Sequence, residues 1–170
     1  MNLFILRHGQ AHPPGSQWRP DSKRPLTKEG EEQTFEVARG MLALGLSFDA
    51  ILTSPYARAL RTAEILAEVY EKPKLIETRR LVPEADPKEI IDEIAENFAD
   101  AEGIVLVGHE PLLSRLVSTL LSGGDGLAIR LKKAGLCKLS AEKVFLGQCA
   151  RLHWLMTPRQ LARLGKAGKG

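Results

Sequence analysis

Two unbroken apolar runs, Leu3-Phe4-Ile5-Leu6 and Ile104-Val105-Leu106-Val107, constrain the fold more than any other feature of this chain. A strand that presents apolar side chains to both sides has to be covered on both faces. That is the situation of a largely parallel sheet lying between layers of helix. Residues 50–53 form a further short apolar strand, and residues 74–77 are read as another. Between these runs the pattern changes to helical spacing. Thr27 is a good N-cap, with Glu29, Glu31 and Glu32 in the first turn, and Phe35, Ala38, Met41 and Leu42 recur on one face until Gly45. Ser54-Pro55 matches a cap followed by proline at the first helical position, opening a helix to about Tyr70 that buries Ala59, Ala63, Leu66 and Ala67. Asp86-Pro87 opens another through Ile90, Ile91, Ile94 and Phe98. Pro111 starts a fourth, which carries Leu112, Leu113, Leu116, Val117 and Leu120 and closes at Gly123-Gly124.

Beyond residue 125 the period shortens. Residues 127–132, 136–140 and 148–155 read as strands joined by short turns, an antiparallel edge to the sheet. Residues 158–164 form a last helical turn, and 165–170 a flexible tail. The expectation is a three-layer α/β/α fold with a mostly parallel sheet, built as one domain over residues 1–164. A chain of 170 residues, 44% hydrophobic and 26% charged, has enough apolar content to exclude a disordered chain, and needs neither disulfide nor metal to hold its core. Cys137 and Cys149 form neither a disulfide framework nor a close-spaced ligand pair, and are read as reduced thiols. Arg7 ends the first apolar run, with no basic region before it, so that run is not read as a secretory signal. No stretch approaches the roughly 20 apolar residues of a spanning helix, and the expectation is a cytoplasmic protein with no membrane partner.

Ligands of open parallel sheets sit beyond the carboxyl ends of the strands. Three polar clusters fall there: Arg7-His8-Gly9, Ser54-Pro55-Tyr56-Ala57-Arg58 and Gly108-His109-Glu110-Pro111. Each alone has a bland explanation as a cap, a surface arginine or a core histidine. Together they bring two arginines and two histidines to one edge, a site that is costly to assemble without an anion. Phosphate suits it, because guanidinium forks match its oxygens and helix N-termini favour negative charge. The net charge of +3 would help to attract such a ligand but is too small to argue for nucleic acid.

Arg7-His8-Gly9, Leu26-Thr27 with Gly30, the Ser54-Pro55 to Arg58 segment with Arg61-Thr62-Ala63, and Gly108-His109 resemble the histidine phosphatase (phosphoglycerate mutase-like) superfamily. The short chain and Arg24-Pro25-Leu26-Thr27 are similar to the compact phosphohistidine phosphatases of the SixA type. The resemblance implies a phosphoglycerate mutase-like fold with His8 as the nucleophile, while Arg7, Arg58 and His109 clamp the phosphoryl group. Gly9 and Arg24 are placed on the substrate-binding surface. The implied proton donor is Glu84 by analogy with mutase-like members, Glu110 by analogy with acid-phosphatase-like ones, or neither. A labile P–N bond would ask less of such an acid.

The resulting expectation is a metal-independent phosphatase without cofactor, working through a phosphohistidine intermediate on protein phosphohistidine. Its partner would be a histidine-containing phosphocarrier or signalling domain. The alternatives are a phosphomonoesterase of small phosphorylated molecules and a non-catalytic phosphate- or phosphoprotein-binding module. His12 is read as a rim residue and Trp18 as a loop-packing aromatic near the pocket mouth, and His153 and Trp154 as packing. Arg151, Arg159, Arg163, Lys166 and Lys169 give a basic C-terminal segment that serves solubility or docks an acidic protein. It has no interleaved aromatics for base stacking, so nucleic acid is not expected as a partner.

Overall fold

The computed structural model describes residues 1–15, 17–71 and 73–167. Six strands form one sheet: β1 (Asn2–Arg7), β2 (Ala50–Thr53), β3 (Lys74–Glu77), β4 (Gly103–Gly108), β5 (Leu136–Ala141) and β6 (Ala150–Met156). Their spatial order is β3-β2-β4-β1-β5-β6. The first four run parallel, β5 pairs antiparallel with β1, and β6 antiparallel with β5. Five helices cover the faces: α1 (Lys28–Ala43), α2 (Ala57–Val69), α3 (Pro87–Asn97), α4 (Leu112–Ser122) and α5 (Pro158–Ala167). The expected mostly parallel sheet with an antiparallel edge is therefore present. Among the described residues no helix is long and apolar enough to cross a membrane.

The doubly apolar strands feed two cores. Leu3 and Ile5 of β1, with Ile104 and Leu106 of β4, pack against Ile90, Ile91 and Ile94 of α3 and Leu113, Leu116 and Leu120 of α4. Phe4, Leu6, Val105 and Val107 point the other way, toward Val37 and Met41 of α1, Ala59, Ala63 and Leu66 of α2, and Leu161 of α5. Local capping fixes where the helices begin. Thr27 Oγ1 accepts the Gly30 amide at 3.0 Å, and Asp86 Oδ1 accepts the Lys88 amide at 2.8 Å with Pro87 at the first position.

Several expectations require correction. Helix α2 starts at Ala57 rather than at Ser54-Pro55. The Ser54 amide still continues the sheet by donating to Val107 O at 3.0 Å, and its hydroxyl is engaged by His109, so residue 54 belongs to the strand end. In α1 the buried strip runs through Gly30, Thr34, Val37, Ala38 and Met41, which leaves Phe35 43% and Leu42 51% exposed. Residues 127–132 form no strand. Their alternation is genuine, with Leu131 buried and Ile129 packed beside it, but β5 already holds the edge of β1 and β6 that of β5. The last helix is three turns long, so residues 165–167 continue it rather than opening a tail, and 168–170, with Lys169, lie outside the described residues. Cys137 is fully buried, Cys149 partly, and both are free.

Glycine governs the crossing of α1 and α5. A Cβ on Gly40 would stand 2.0 Å from Leu161 O, and one on Gly165 would stand 2.9 Å from the Gly40 amide nitrogen. Neither neighbour is a flexible side-chain tip, so the helices would have to separate. Gly40→Ala should therefore destabilise the fold by about 1–3 kcal/mol despite alanine's better helix propensity, measurable as a lower urea midpoint at unchanged m-value.

Candidate active site

The register of the parallel strands builds the site. Arg7 of β1 lies beside Gly108 of β4, and the His8 amide donates to Gly108 O at 3.0 Å. His8 and His109 thus leave the sheet at the same height, their ring centroids 5.0 Å apart. Thr53 of β2 pairs with Val107 on the other side of β4, which brings Ser54, Tyr56 and Arg58 to the same edge. His8, Arg58 and His109 are 5%, 4% and 1% exposed.

His8 Nδ1 lies 2.7 Å from Gly9 O. A carbonyl can only accept, so Nδ1 carries the proton and Nε2 keeps its lone pair. Burial is the main cause that drives the His8 pKa down to about 3; Arg58, Arg7 and Arg24 push in the same direction, against the Gly9 bond. The imidazole is neutral at physiological pH. His109 is lowered to about 2, mainly by burial, then by His8 and the same arginines. Its Nε2 lies 2.9 Å from Ser54 Oγ. With Ser54 donating, the neutral ring holds its proton on Nδ1, which has no partner among the described residues.

The arginines are held from behind. Arg7 Nη1 donates to Leu131 O at 2.8 Å. Arg58 Nη1 donates to Asp21 O at 3.0 Å and lies 3.1 Å from Asp21 Oδ2. Arg24, brought into the same cluster, bonds Asp21 Oδ1 at 2.7 Å and His12 O at 2.7 Å. Arg7 Nε and Arg58 Nε remain buried without acceptors. Three of the buried unpartnered polar atoms therefore belong to Arg7, Arg58 and His109, the side chains gathered about His8. Native interiors rarely leave such donors unmet, and an anion would satisfy them together.

The remaining candidates divide. The Gly9 amide is spent on Thr62 Oγ1 at 3.0 Å, and a Cβ there would meet Thr34 Oγ1 at 2.4 Å, so Gly9 supports and orients the His8 ring rather than offering a free donor. Glu84 is exposed, and its Oε2 accepts the Tyr56 hydroxyl at 3.3 Å. The Tyr56 ring stands edge-on to His109 at 5.1 Å and beneath the Arg58 guanidinium at 5.2 Å, which ties Glu84 to the site. Glu110 Oε2 instead accepts the Ser114 amide and hydroxyl at the start of α4. His12 and Trp18 pack ring to ring at 5.9 Å. Among the described residues no group of three or more His, Cys, Asp or Glu side chains could hold a metal ion. Sequence reasoning missed Asp21 and the Leu131 carbonyl. The spacing of Asp21 three residues before Arg24 was the available signal for the first, and a backbone carbonyl gives none.

The family model for the histidine phosphatase superfamily (branch 1) matches residues 3–83. An uncharacterized protein of Picosynechococcus is 39% identical over 141 residues, 82% of this chain and 84% of that protein. The chain belongs to the histidine phosphatase superfamily. Phosphohistidine phosphatase SixA of Escherichia coli is 27% identical over 128 residues, covering 72% of this chain and 76% of the relative. The solved structure of the protein histidine phosphatase SixA complexed with tungstate superposes with a TM-score of 0.82 at 22% identity, over 95% of this chain and 99% of that one. A putative alpha-ribazole-5'-P phosphatase of Escherichia coli gives 0.72 at 19% identity, over 93% and 97%. These two likenesses establish the fold, a phosphoglycerate mutase-like α/β arrangement common to superfamily phosphatases with different substrates.

Two outcomes follow from the geometry. Asp21→Ala keeps the backbone carbonyl bond to Arg58 but removes the carboxylate that contacts both Arg58 and Arg24, so it should lower kcat/KM toward an aryl phosphate by about tenfold through misplacement of the clamp. The second concerns pH. In the unfolded chain an imidazole takes up a proton as pH falls through about 6.5, whereas folded His8 resists until about 3. Between those values the unfolded state binds more protons, so stability falls as pH falls, by up to about 1.4 kcal/mol per pH unit for each such group. Urea unfolding of His8→Asn between about pH 6 and about pH 4 should show a shallower decline than the parent.

Proposed function

We propose that the protein is a cytoplasmic, metal-independent phosphatase that works through a phosphohistidine at His8 and acts on phosphohistidine in a partner protein. The observation that carries this reading is the neutral, buried His8 imidazole, its Nε2 free, set among cationic or hydrogen-bond donors that lack acceptors. In the first step Nε2 attacks phosphorus in line and the bond to the leaving group breaks, leaving the phosphoryl group on His8. In the second, water attacks the same phosphorus, the P–Nε2 bond breaks, and phosphate departs with the neutral imidazole restored. Charge on the transferring group spreads onto Arg7, Arg58 and His109, which stand in place before the reaction and need no reorganisation. Arg24 adds to the field on both histidines. The resemblance to SixA and the modest demands of an imidazole leaving group together support a phosphohistidine substrate.

A phosphomonoesterase reading has one observation in its favour. The Tyr56–Glu84 hydrogen bond beside His109 offers a carboxyl group that could protonate an alkoxide, a poorer leaving group than imidazole. Turnover of a phosphorylated histidine-containing carrier protein, set against a panel of sugar phosphates, separates the two readings. Brief exposure to a phosphodonor should add one acid-labile phosphoryl group that maps to His8 by mass spectrometry. His8→Ala should abolish both the adduct and turnover of an aryl phosphate while phosphate binding persists. Full activity in His8→Ala would overturn the mechanism, and phosphate binding without turnover in the parent would leave a binding module.

A further inference from the structure

Residues 130–134 pass beside the site without joining the sheet, and their two kinds of side chain are sharply separated. Leu131 and Ala134 are buried, whereas Arg130, Lys132 and Lys133 are exposed. The buried members are tied to the catalytic strand end. Leu131 O accepts the Arg7 guanidinium at 2.8 Å, and the Ala134 amide donates to both Arg7 O and His8 O at 3.0 Å. Ala134 adopts φ of +54°, a left-handed conformation that a residue with a Cβ occupies only under strain. The adjacent turn is closed by the Gly135 amide on Lys132 O at 2.7 Å. None of the three exposed cations takes part in an ion pair among the described residues. Three positive charges, unpaired among the described residues, thus sit within four residues on a segment whose backbone is anchored to Arg7 and His8.

We propose that Arg130, Lys132 and Lys133 form a docking rim for the acidic surface of the protein that delivers the phosphoryl group. This rests on the reading of a protein substrate given above. A small phosphate ester reaches the Arg7, Arg58 and His109 clamp without touching the rim. A macromolecule carrying the phosphoryl group must lay its own surface against it. Such a rim acts on encounter: the opposing charges raise the association rate and lose their effect as salt screens them.

The test compares two substrates in one triple variant, Arg130→Glu/Lys132→Glu/Lys133→Glu, with the double variant Lys132→Ala/Lys133→Ala as a milder control. The probes are an acidic, phosphorylated histidine-containing carrier protein and p-nitrophenyl phosphate. At low ionic strength the charge-reversed enzyme should lose at least about tenfold in kcat/KM toward the carrier protein, and the neutral variant a smaller amount. Both should stay within about twofold of the parent on the aryl phosphate, and the salt dependence seen with the parent and the carrier protein should flatten. An equal loss on both substrates, or no selective loss on the carrier protein, overturns the docking rim and leaves the phosphatase reading standing. A parent enzyme that hydrolyses the aryl phosphate but not the carrier protein overturns both the protein-substrate reading and the rim.

Discussion

The pairing of β1 with β4 is the constraint on which the rest of the molecule depends. Because Arg7 aligns with Gly108, the next residue on each strand is a histidine, and the two rings emerge side by side. That alignment is held from both faces. Leu3, Ile5, Ile104 and Leu106 fill the space under α3 and α4, while Phe4, Leu6, Val105 and Val107 fill the space under α1 and α2. A slip of one residue would exchange the two sets and leave each helical layer facing side chains of the wrong shape. The distance between the two imidazoles is therefore set by packing several residues away from either, and the precision of the site is a property of the core.

Electrostatics decides what such an edge can contain. Arg7, Arg24 and Arg58 all act on His8, and their mutual repulsion is tolerable because the imidazoles are neutral and because acceptors meet part of each guanidinium. Those acceptors come from outside the strands: Asp21 for Arg24 and Arg58, the His12 carbonyl for Arg24, and the Leu131 carbonyl for Arg7. They satisfy the far side of each cation and leave Arg7 Nε, Arg58 Nε and His109 Nδ1 without partners. A site arranged in this way is already shaped for a group bearing several anionic oxygens. The same depression of the His8 pKa that keeps Nε2 available also makes the folded state more costly in acid, so reactivity and acid stability pull in opposite directions at one side chain.

The strands and their polar ends were legible because apolar runs with abrupt stops have few other physical meanings, and Thr27 and Asp86-Pro87 marked helix starts by cap chemistry alone. Arg7, His8, Arg58 and His109 could be gathered on paper once the strands were placed side by side. What could not be read depended on tertiary competition. The alternation through Leu127, Ile129 and Leu131 has the period of a strand, yet no ladder edge was left for it, so the same apolar side chains bury themselves from an irregular segment. Phe35 and Leu42 obey helical spacing, but the strip that α5 and the sheet cover lies one step around α1. Asp21 opens a single 3-10 turn, Asp21–Lys23, too short to show a periodicity, and its role shows only when the fold delivers Arg58 to it from another element.

Glu84 and Glu110 are the carboxylates set beside His109, one through Tyr56 and the other as its neighbour in sequence. Glu110 follows His109 directly; its Oε2 accepts from the amide and hydroxyl of Ser114 at the start of α4, while its Oε1 is buried without a partner among the described residues. Glu84 reaches the site only through the Tyr56 hydroxyl, and the Tyr56 ring stands against His109 and Arg58. The fixed positive charge of the site is carried by Arg7, Arg24 and Arg58, all of which act on the two histidines. Imidazole departs from phosphorus with less assistance than an alkoxide does. On the function proposed above, a P–N bond would therefore ask less of Glu84 and Glu110 than a phosphate ester would.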